Sequence, residues 1–369
     1  MLKKVFAVLA ALALILSLAA CGASGGQPAA PAPSSADAPA APSDTEAPAQ
    51  PVPDGAVTLK FGHVLAPGTP QHQGIAKFEE LVEERTNGAV QIEIYPSSQL
   101  GDERELIEGM QMGTVDGYLG STATMTAWIP DFMVFDIPFL FDGYEHEYKV
   151  MDGQLGNKLK EECLPLGIHI LTLSDAGFSN IINNGHPIEK PEDAKGMNIR
   201  VMESPGLIAY MNALGANPVP MAMSEVFTAL QNGTLDGGTW PVVVAYFNKF
   251  YTTTDYMTLV DPLPTSIMTA MSESAWNSVP EEYRDILTQA SVEATAYQRQ
   301  VLAESIDSLT AVMEEEGVTI IRPDRNVWKD ALQQMLMYGK EASNRKQEID
   351  RQHYTIPNQR PKDKHCGKI

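Results

Sequence analysis

Cysteine is scarce in this sequence, and its spacing supports no framework. Three of the 369 residues are cysteines, Cys21, Cys163 and Cys366. No Cys-x-x-Cys pair occurs, so neither a zinc site nor a disulfide-stabilised scaffold is indicated. A bridge between Cys163 and Cys366 stays open as the less favoured alternative.

Histidine is also sparse, and its seven copies show no spacing typical of metal ligands. His63 and His72 lie nine positions apart, and His146 stands alone between two glutamates. We interpret these side chains as scattered over the surface. His63, which follows the first predicted strand, is also a candidate to face a ligand cleft. We predict no metal site and no cofactor.

Positive charge is in short supply. The 26 lysines and arginines are outnumbered by 47 aspartates and glutamates, giving a net charge of −21. A nucleic-acid-binding surface needs clustered basic residues to neutralise phosphates. The charge balance therefore excludes nucleic acid as a partner.

The charge-free apolar run Val5–Leu18 is too short for a permanent transmembrane helix, which needs about 20 residues. Because Lys3 and Lys4 precede it, the run is typical of a secretory signal peptide, predicted over residues 1–20. It ends in Leu18-Ala19-Ala20-Cys21, a lipobox that would place a diacylglycerol on Cys21. We predict an extracytoplasmic protein anchored to the cell membrane by lipid; an ordinary signal peptide with a chance cysteine is the alternative.

Residues 21–55 consist mostly of Ala, Pro, Ser and Gly. Such a segment buries too little apolar surface to offset its ordering entropy, so we expect an extended, disordered linker. A formal Gly-x-Ser-x-Gly match at residues 22–26 lies inside it. The hydrolase elbow with that pattern requires a strand-to-helix turn, so the match carries no catalytic prediction.

From about residue 57 onward, strand and helix signals alternate, which predicts an α/β fold. Strands are expected near 57–61, 90–94, 114–119, 168–173, 198–201 and 256–260. Helices are expected near 75–85, 102–112, 154–166, 206–214 and 224–232. Residues 280–316 lack any helix breaker and would form a helix of more than about 50 Å, long enough to lie across two domains. A kink or two shorter helices is the alternative.

Several blocks in collinear order resemble the solute-binding proteins of TRAP (tripartite ATP-independent periplasmic) transporters. Residues 196–205 are similar to their "GxKIRxxxxP" block, and residues 214–237 to their "LGAxPxPM…SEVYxALQxGxxDG" signature. Residues 95–101 and 137–141 also match, so that the resemblance covers roughly residues 57–340. It implies a two-domain periplasmic-binding-protein-like fold with a hinge, a ligand cleft and one long helix spanning both domains. It also implies a ligand that usually bears a carboxylate, and TRAP membrane subunits as partners.

Domain boundaries follow from the pattern and the resemblance together. Domain I is predicted over residues 56–176 plus about 266–305, and domain II over 177–265 plus about 306–346. Residues 347–369 do not resemble the family and are predicted to be a tail, with an altered reading of the true terminus as the open alternative. The protein is expected to be a monomer.

Arg200 is the main candidate for binding an anion. It is the single arginine between Arg104 and Arg284, in an acidic chain, at the end of a predicted buried strand. Its planar guanidinium offers two parallel donors that suit a carboxylate. The alternative is a structural salt bridge between domains. The resemblance aligns Arg200 with the main carboxylate-binding arginine of the family.

Other candidates come from where the sequence departs from the family. Many members of the family carry a second arginine in a "G-x-R" step, which reads Gly177-Phe178-Ser179 here, so that Ser179 replaces the arginine. The family's "DGQENP" block reads Asp236-Gly237-Gly238-Thr239-Trp240-Pro241 in this chain. Trp240 therefore stands where an asparagine often contacts the ligand. Met223, Glu103 and Ser121 align with further ligand-facing positions. The predicted ligand-binding set is Arg200, Trp240, Thr239, Met223, Ser121, Glu103, Ser179, Phe178 and His63.

With one positive group and an added indole, the pocket is predicted to bind a monocarboxylate with an apolar or aromatic body rather than a dianion. Trp276 and Trp328 are expected in the core, and Trp128 is a further candidate for the cleft. Two other functions stay open: a lipoprotein co-receptor that senses the same anion, and, less favoured, an anchored hydrolase. No credible nucleophile motif supports the hydrolase, so we predict a protein that is not an enzyme.

Overall fold

A computed structural model describes residues 55–333. The predicted signal peptide, lipidated Cys21, linker and tail lie outside these residues, as does Cys366. Cys163 is within them and is buried, with no disulfide partner among the described residues, so a bridge to Cys366 is not tested. The domain boundaries given above stay a prediction.

Nine strands in the described residues form one mixed sheet. They are β1 (Val57–Gly62), β2 (Val90–Tyr95), β3 (Gly117–Ser121), β4 (Ile168–Asn183), β5 (Asn198–Val201), β6 (Asn217–Pro220), β7 (Gly237–Trp240), β8 (Tyr256–Ser272) and β9 (Thr319–Ile321). The order is β2-β1-β3-β8-β4-β7-β5-β6, with β9 on β8. β1, β2 and β3 are parallel to one another in their pairings, as are β5, β6 and β7, whereas β4 and β8 pair antiparallel.

Ten α-helices surround this sheet within residues 55–333. They are α1 (Pro70–Arg85), α2 (Glu103–Met112), α3 (Tyr144–Met151), α4 (Gln154–Cys163), α5 (Pro205–Ala213), α6 (Met223–Gln231), α7 (Val242–Phe247), α8 (Glu273–Ser278), α9 (Glu281–Glu315) and α10 (Arg325–Ala331). The α/β fold expected from the alternating signals is confirmed.

The start of helix α1 is determined by the residues at its N-terminus. The Thr69 hydroxyl accepts a hydrogen bond from the His72 amide at 3.2 Å, and Pro70 occupies the first turn. A threonine cap followed by proline is a typical helix start, because the first amides have no partner within the helix. The helix therefore begins five residues before the predicted Ile75.

The two central strands are much longer than predicted. β4 has 16 residues and β8 has 17, and nearly every side chain on both is buried. In strands that are covered on both faces, polar and apolar residues do not alternate. The sequence therefore does not indicate where such strands begin and end. Their pairing shifts register between Asp175 and Phe178, where Gly177 has a φ of 102° that favours glycine.

Helix α9 is a single uninterrupted helix of 35 residues, as predicted, rather than two shorter ones. It packs against α1, β4 and α7. At the α1 contact, a β-carbon on Gly74 would lie 2.7 Å from the Gln298 Cβ. Only glycine allows the two helices to approach this closely.

Three apolar clusters fill the spaces around the sheet in residues 55–333. The first joins α1, β1 and β2 to α7 along α9; the second lies beneath α2, α3 and α4; the third surrounds α5, β5 and α10. Trp328 is fully buried in the third cluster, as predicted. Trp276 is only half-buried and stacks on His169, so its predicted place in the core is only partly confirmed.

Candidate ligand-binding site

Arg200 lies on β5 between Val219 of β6 and Gly238 of β7, and only 4% of it is exposed. Its Nε and Nη2 both donate to the Met221 carbonyl, at 3.1 and 2.9 Å. One edge of the guanidinium is thereby fixed to the backbone. Within residues 55–333, Nη1 has no hydrogen-bond partner and no carboxylate forms an ion pair with Arg200. The Nη1/Nη2 edge is therefore free to bind an acceptor.

The charge of Arg200 persists despite its burial. Burial lowers the pKa of the guanidinium to about 10, while the negative charge of Glu103, followed by those of Asp102 and Glu203, acts to raise it. The side chain is therefore a cation at neutral pH. A buried cation without an ion-pair partner is costly, which favours an anionic ligand.

Trp240 lies beside this cation. Its ring centroid is 5.7 Å from the Arg200 guanidinium carbon and 4.6 Å from the ring of Phe250, and the residue is 2% exposed. A β-carbon on Gly238 would lie 2.0 Å from the indole, so the ring rests directly on that glycine. The indole Nε1 is buried and has no acceptor among the described residues.

A polar corner is formed by Glu103, at the start of α2. Its Oε1 accepts from the Ser121 amide at 2.9 Å and its Oε2 from the Thr124 hydroxyl at 2.8 Å. Burial raises the pKa of this carboxyl, and these two hydrogen bonds and the charge of Arg200 oppose that rise. The Ser121 hydroxyl is engaged with the Ala123 amide at 3.1 Å.

Three contacts near Arg200 were not predicted. The Ser224 hydroxyl donates to Asp102 at 2.5 Å, Arg104 pairs with Glu203 at 3.4 Å, and the Ser204 hydroxyl donates to the buried Asp136. Burial raises the pKa of Asp136 to about 7. Asp102 carried one usable signal, since it heads a capping box before α2. Arg104 also lies over Trp128, at 5.4 Å.

The remaining candidates are less closely associated with Arg200. Thr239 is buried on β7, and Met223 is half-buried at the start of α6. The Ser179 hydroxyl is 2.6 Å from that of Thr265, and Phe178 packs edge-on against Tyr144 in the second apolar cluster. Both residues lie on β4, whose next residue, Asn180, is the register partner of Trp240 on β7.

The interpretation of the histidines as surface side chains is wrong for His63, which is 1% exposed, and its place at the ligand cleft stays a prediction. Its Nδ1 accepts from the Leu65 amide at 3.2 Å, so its Nε2 carries the proton and donates to Nδ1 of His72 at 3.0 Å. Burial, followed by the neighbouring His72, lowers the pKa of His63 to about 3, so it is neutral. His63 is buried because β1 lies between β2 and β3, and these two strands cover the residue that follows β1. His146 is exposed, as predicted.

No group of three or more His, Cys, Asp or Glu side chains is placed to hold a metal ion in the described part of the chain. The same residues contain no helix with the length and apolar character needed to cross a bilayer.

Comparison with known proteins places these features in context. Residues 61–341 match the family described as bacterial extracellular solute-binding protein, family 7. The C4-dicarboxylate-binding periplasmic protein DctP of Rhodobacter capsulatus is 35% identical over 281 residues, covering 75% of this chain and 84% of that protein.

Two solved structures share the fold. The TRAP solute-binding protein of Polaromonas sp. JS666, bound to D-erythronate, aligns with a TM-score of 0.75 and 30% identity over 77% of this chain and 95% of its own. That of Sulfurospirillum deleyianum, with bound succinate, aligns with a TM-score of 0.72 and 34% identity over 75% and 92%.

The fold and the family match thus define a protein of the extracytoplasmic solute-binding class. The chain belongs to family 7 of the bacterial extracellular solute-binding proteins, the DctP family of TRAP transporters.

Proposed function

We propose that this protein captures a small monocarboxylate and delivers it to TRAP-type integral membrane subunits, without catalysing a reaction. The observation that carries the proposal is the Arg200 geometry. The Met221 carbonyl holds the Nε/Nη2 edge, so the Nη1/Nη2 edge can donate two parallel hydrogen bonds to one carboxylate.

A second carboxylate on the ligand would find an unfavourable environment. The negative charge of Glu103 acts on the pKa of Arg200, so this carboxylate lies close to the anion site. The Ser179 hydroxyl, which stands in for the family's second arginine, is paired with Thr265. Arg104, the other cation in this region, already pairs with Glu108 and Glu203, so a dianion would lose its hydration without gaining a second free cation, which is costly. Dicarboxylates such as succinate are therefore expected to bind weakly.

Trp240 supports an apolar or aromatic ligand body. The centre of its ring is 5.7 Å from the Arg200 guanidinium carbon, so a ligand held by Arg200 would meet an apolar indole where an amide would favour polar ligands. A hydroxylated monocarboxylate such as erythronate is a second candidate, because the Glu103 carboxylate can accept a hydrogen bond from a ligand hydroxyl.

We infer that the ligand binds between the two predicted domains. Asp102, Arg104 and Asp136 fall within predicted domain I, whereas Ser224, Glu203 and Ser204 fall within predicted domain II. Each of the three contacts described above joins one member of each set. Such contacts stabilise a closed arrangement, and closure around a ligand is a common mode of hinged binding proteins.

Lipid anchoring through Cys21 and a monomeric state are also part of the proposal. The basic residues, apolar run and lipobox at the N-terminus support the anchor. Two or three acyl chains are needed for stable attachment, because one chain gives only marginal membrane affinity. A co-receptor that senses the same anion is the alternative role, and it would bind ligand but support no uptake with the membrane subunits.

The ligand class is tested by a thermal-shift screen of the purified protein. We expect monocarboxylates with apolar bodies, such as phenylacetate and isovalerate, to raise the melting temperature, and succinate, fumarate and malate to leave it unchanged. Trp240→Asn should weaken the aromatic ligands most, and Trp276→Asn, which alters a distant tryptophan, should not. A best ligand that is a C4-dicarboxylate, or a sugar acid that ignores Trp240→Asn, would contradict this account of the pocket.

A further inference from the structure

Two carboxyl groups are completely buried at the centre of the sheet, away from Arg200. Asp175 lies on β4 at the register shift, and Glu147 lies on α3, which packs on that strand; both are 0% exposed. Neither belongs to the candidate ligand-binding set.

The strand register brings the two groups together. Ser266 of β8 is the direct partner of Asp175 in the antiparallel pairing. Side chains at directly opposite positions project from the same face with β-carbons about 4.5–5.5 Å apart. The Ser266 hydroxyl donates to Glu147 Oε1 at 3.1 Å, so the Glu147 carboxyl is held against the side chain that faces Asp175.

Each carboxyl has one oxygen with a donor and one without. Asp175 Oδ1 accepts from the Gly177 amide at 2.8 Å, and Glu147 Oε1 accepts from Ser266. Asp175 Oδ2 and Glu147 Oε2 are buried and have no partner within residues 55–333. The hydroxyl of Tyr148 lies close to the Asp175 carboxyl and lowers the pKa of that carboxyl. A buried acceptor without its full set of donors is destabilising, and one proton held by the pair removes one of its two negative charges.

We propose that Glu147 and Asp175 form a proton-binding site, in which the pair holds one proton and thereby fastens α3 to the central strands. The charged and titratable groups around the pair come from four elements and one turn. They are Tyr144 and Tyr148 on α3, Asp261 on β8, Arg299 on α9, Lys160 on α4 and Asp152 after α3.

The surroundings favour one proton rather than none or two. Burial, followed by the charge of Asp175, raises the pKa of Glu147 well above its usual range. Burial also raises the pKa of Asp175, while Arg299 opposes the rise and favours one remaining negative charge. Arg299 is itself held by Asp152 at 2.8 Å and lies 4.0 Å from the ring of Tyr148. The two carboxyls lose their protons in two successive steps, and each step is a property of the coupled pair rather than of one residue.

The shared proton matters for the part of β4 that leads to predicted ligand-binding residues. Asp175 fixes the Gly177 amide at the register shift, and Phe178 and Ser179 follow directly. Loss of the proton would place two adjacent negative charges at this shift. The bend in β4 and the position of α3 would then be less well fixed.

The sign of the pH effect follows from the raised pKa values. A carboxyl that binds its proton more tightly in the folded state contributes its full stability below the ordinary pKa of 4.5 and loses it as the pH rises through the folded value. As the pH rises above 4.5, the wild-type melting temperature should therefore fall by more than that of Glu147→Gln. In that variant the amide donates permanently to Asp175 and its oxygen still accepts from Ser266.

Glu145→Gln is the matched control, because Glu145 is exposed on the same helix. It should retain the full wild-type pH dependence. Parallel melting curves for wild type and Glu147→Gln at all pH values would overturn the proposal.

Infrared spectroscopy of protein with isotopically labelled glutamate reads the proton directly and does not depend on the folding of Glu147→Gln. The wild type should show a carbonyl stretch from a protonated glutamic acid at pH values above the ordinary glutamate pKa of 4.5, where exposed glutamates are ionised. In Asp175→Asn that band should disappear at a lower pH than in the wild type, because the negative charge of Asp175 no longer opposes the ionisation of Glu147. Absence of the band in the wild type, or an identical pH dependence of the band in Asp175→Asn, would contradict a proton held by the pair.

Discussion

Arg200 is buried and permanently charged, and only part of its hydrogen-bond donors have a partner. The Met221 carbonyl uses Nε and Nη2 but offers no negative charge, so the cation is oriented without being neutralised. Arginine keeps its charge where lysine would lose it more readily, and its planar shape fixes the direction of the remaining donors. An incoming carboxylate therefore meets a cation whose orientation is already set.

Replacement of Arg200 tests this role. Arg200→Ala should reduce ligand affinity at least about a hundredfold, and Arg200→Lys should weaken it less, because a point charge cannot reproduce two parallel hydrogen bonds. Arg322→Ala, which removes an exposed arginine, is the control and should bind normally. Calorimetric titration gives the three affinities, and near-native binding by Arg200→Ala would rule out the assigned role.

How much of the site could be foreseen differs from residue to residue. Arg200 was identifiable because an isolated arginine on a buried strand of an acidic chain has few structural uses, and because it lies within one of the family blocks. Asp136 and Glu147 gave no such signal, since their burial arises from elements far apart in the chain. For His63, the sequence did not reveal that neighbouring strands cover the end of β1.

Among the secondary-structure elements, helices with clear boundaries were predicted best. α5 and α6 each begin and end within one residue of expectation, because Pro205 marks one start and Asn232-Gly233 one end. The short strands β6 and β7 were missed, since four residues carry too little periodicity. The long strands β4 and β8 were cut short because burial on both faces removes the alternation that marks a strand.

The contact between α1 and α9 depends on one glycine. Gly74→Ala would place a β-carbon 2.7 Å from the Gln298 Cβ, which belongs to the stem of that side chain and cannot move aside alone. The helices must separate, and we expect a loss of about 1–3 kcal/mol in the free energy of unfolding. Denaturant titration measures this change; unaltered or increased stability would show that α1 shifts freely relative to α9.

The molecule as a whole is strongly acidic, with a net charge of −21, yet it is proposed to bind an anion. Long-range repulsion is screened beyond about 8 Å at physiological ionic strength, so the local field of Arg200 outweighs it at the site. The acidic surface also keeps the protein soluble at the membrane face where it is expected to work.

Attachment to that membrane depends on Cys21 in the proposed lipoprotein. Cys21→Ala should leave the chain without acyl groups, either unprocessed or released. Fractionation of cells and mass spectrometry of the N-terminus distinguish these states from the wild type. A wild-type protein whose Cys21 is free and unmodified would contradict the anchor but leave the solute-binding assignment in place.

The central claim is that the ligand is held as an anion by Arg200. It is tested most directly by calorimetric titration of the unmodified protein with its best monocarboxylate and with the corresponding primary amide, which has the same body but no charge. The charged ligand should bind at least about a hundredfold more tightly, because the amide cannot accept two charge-assisted hydrogen bonds from Nη1 and Nη2. Equal affinities for the acid and the amide would contradict the account.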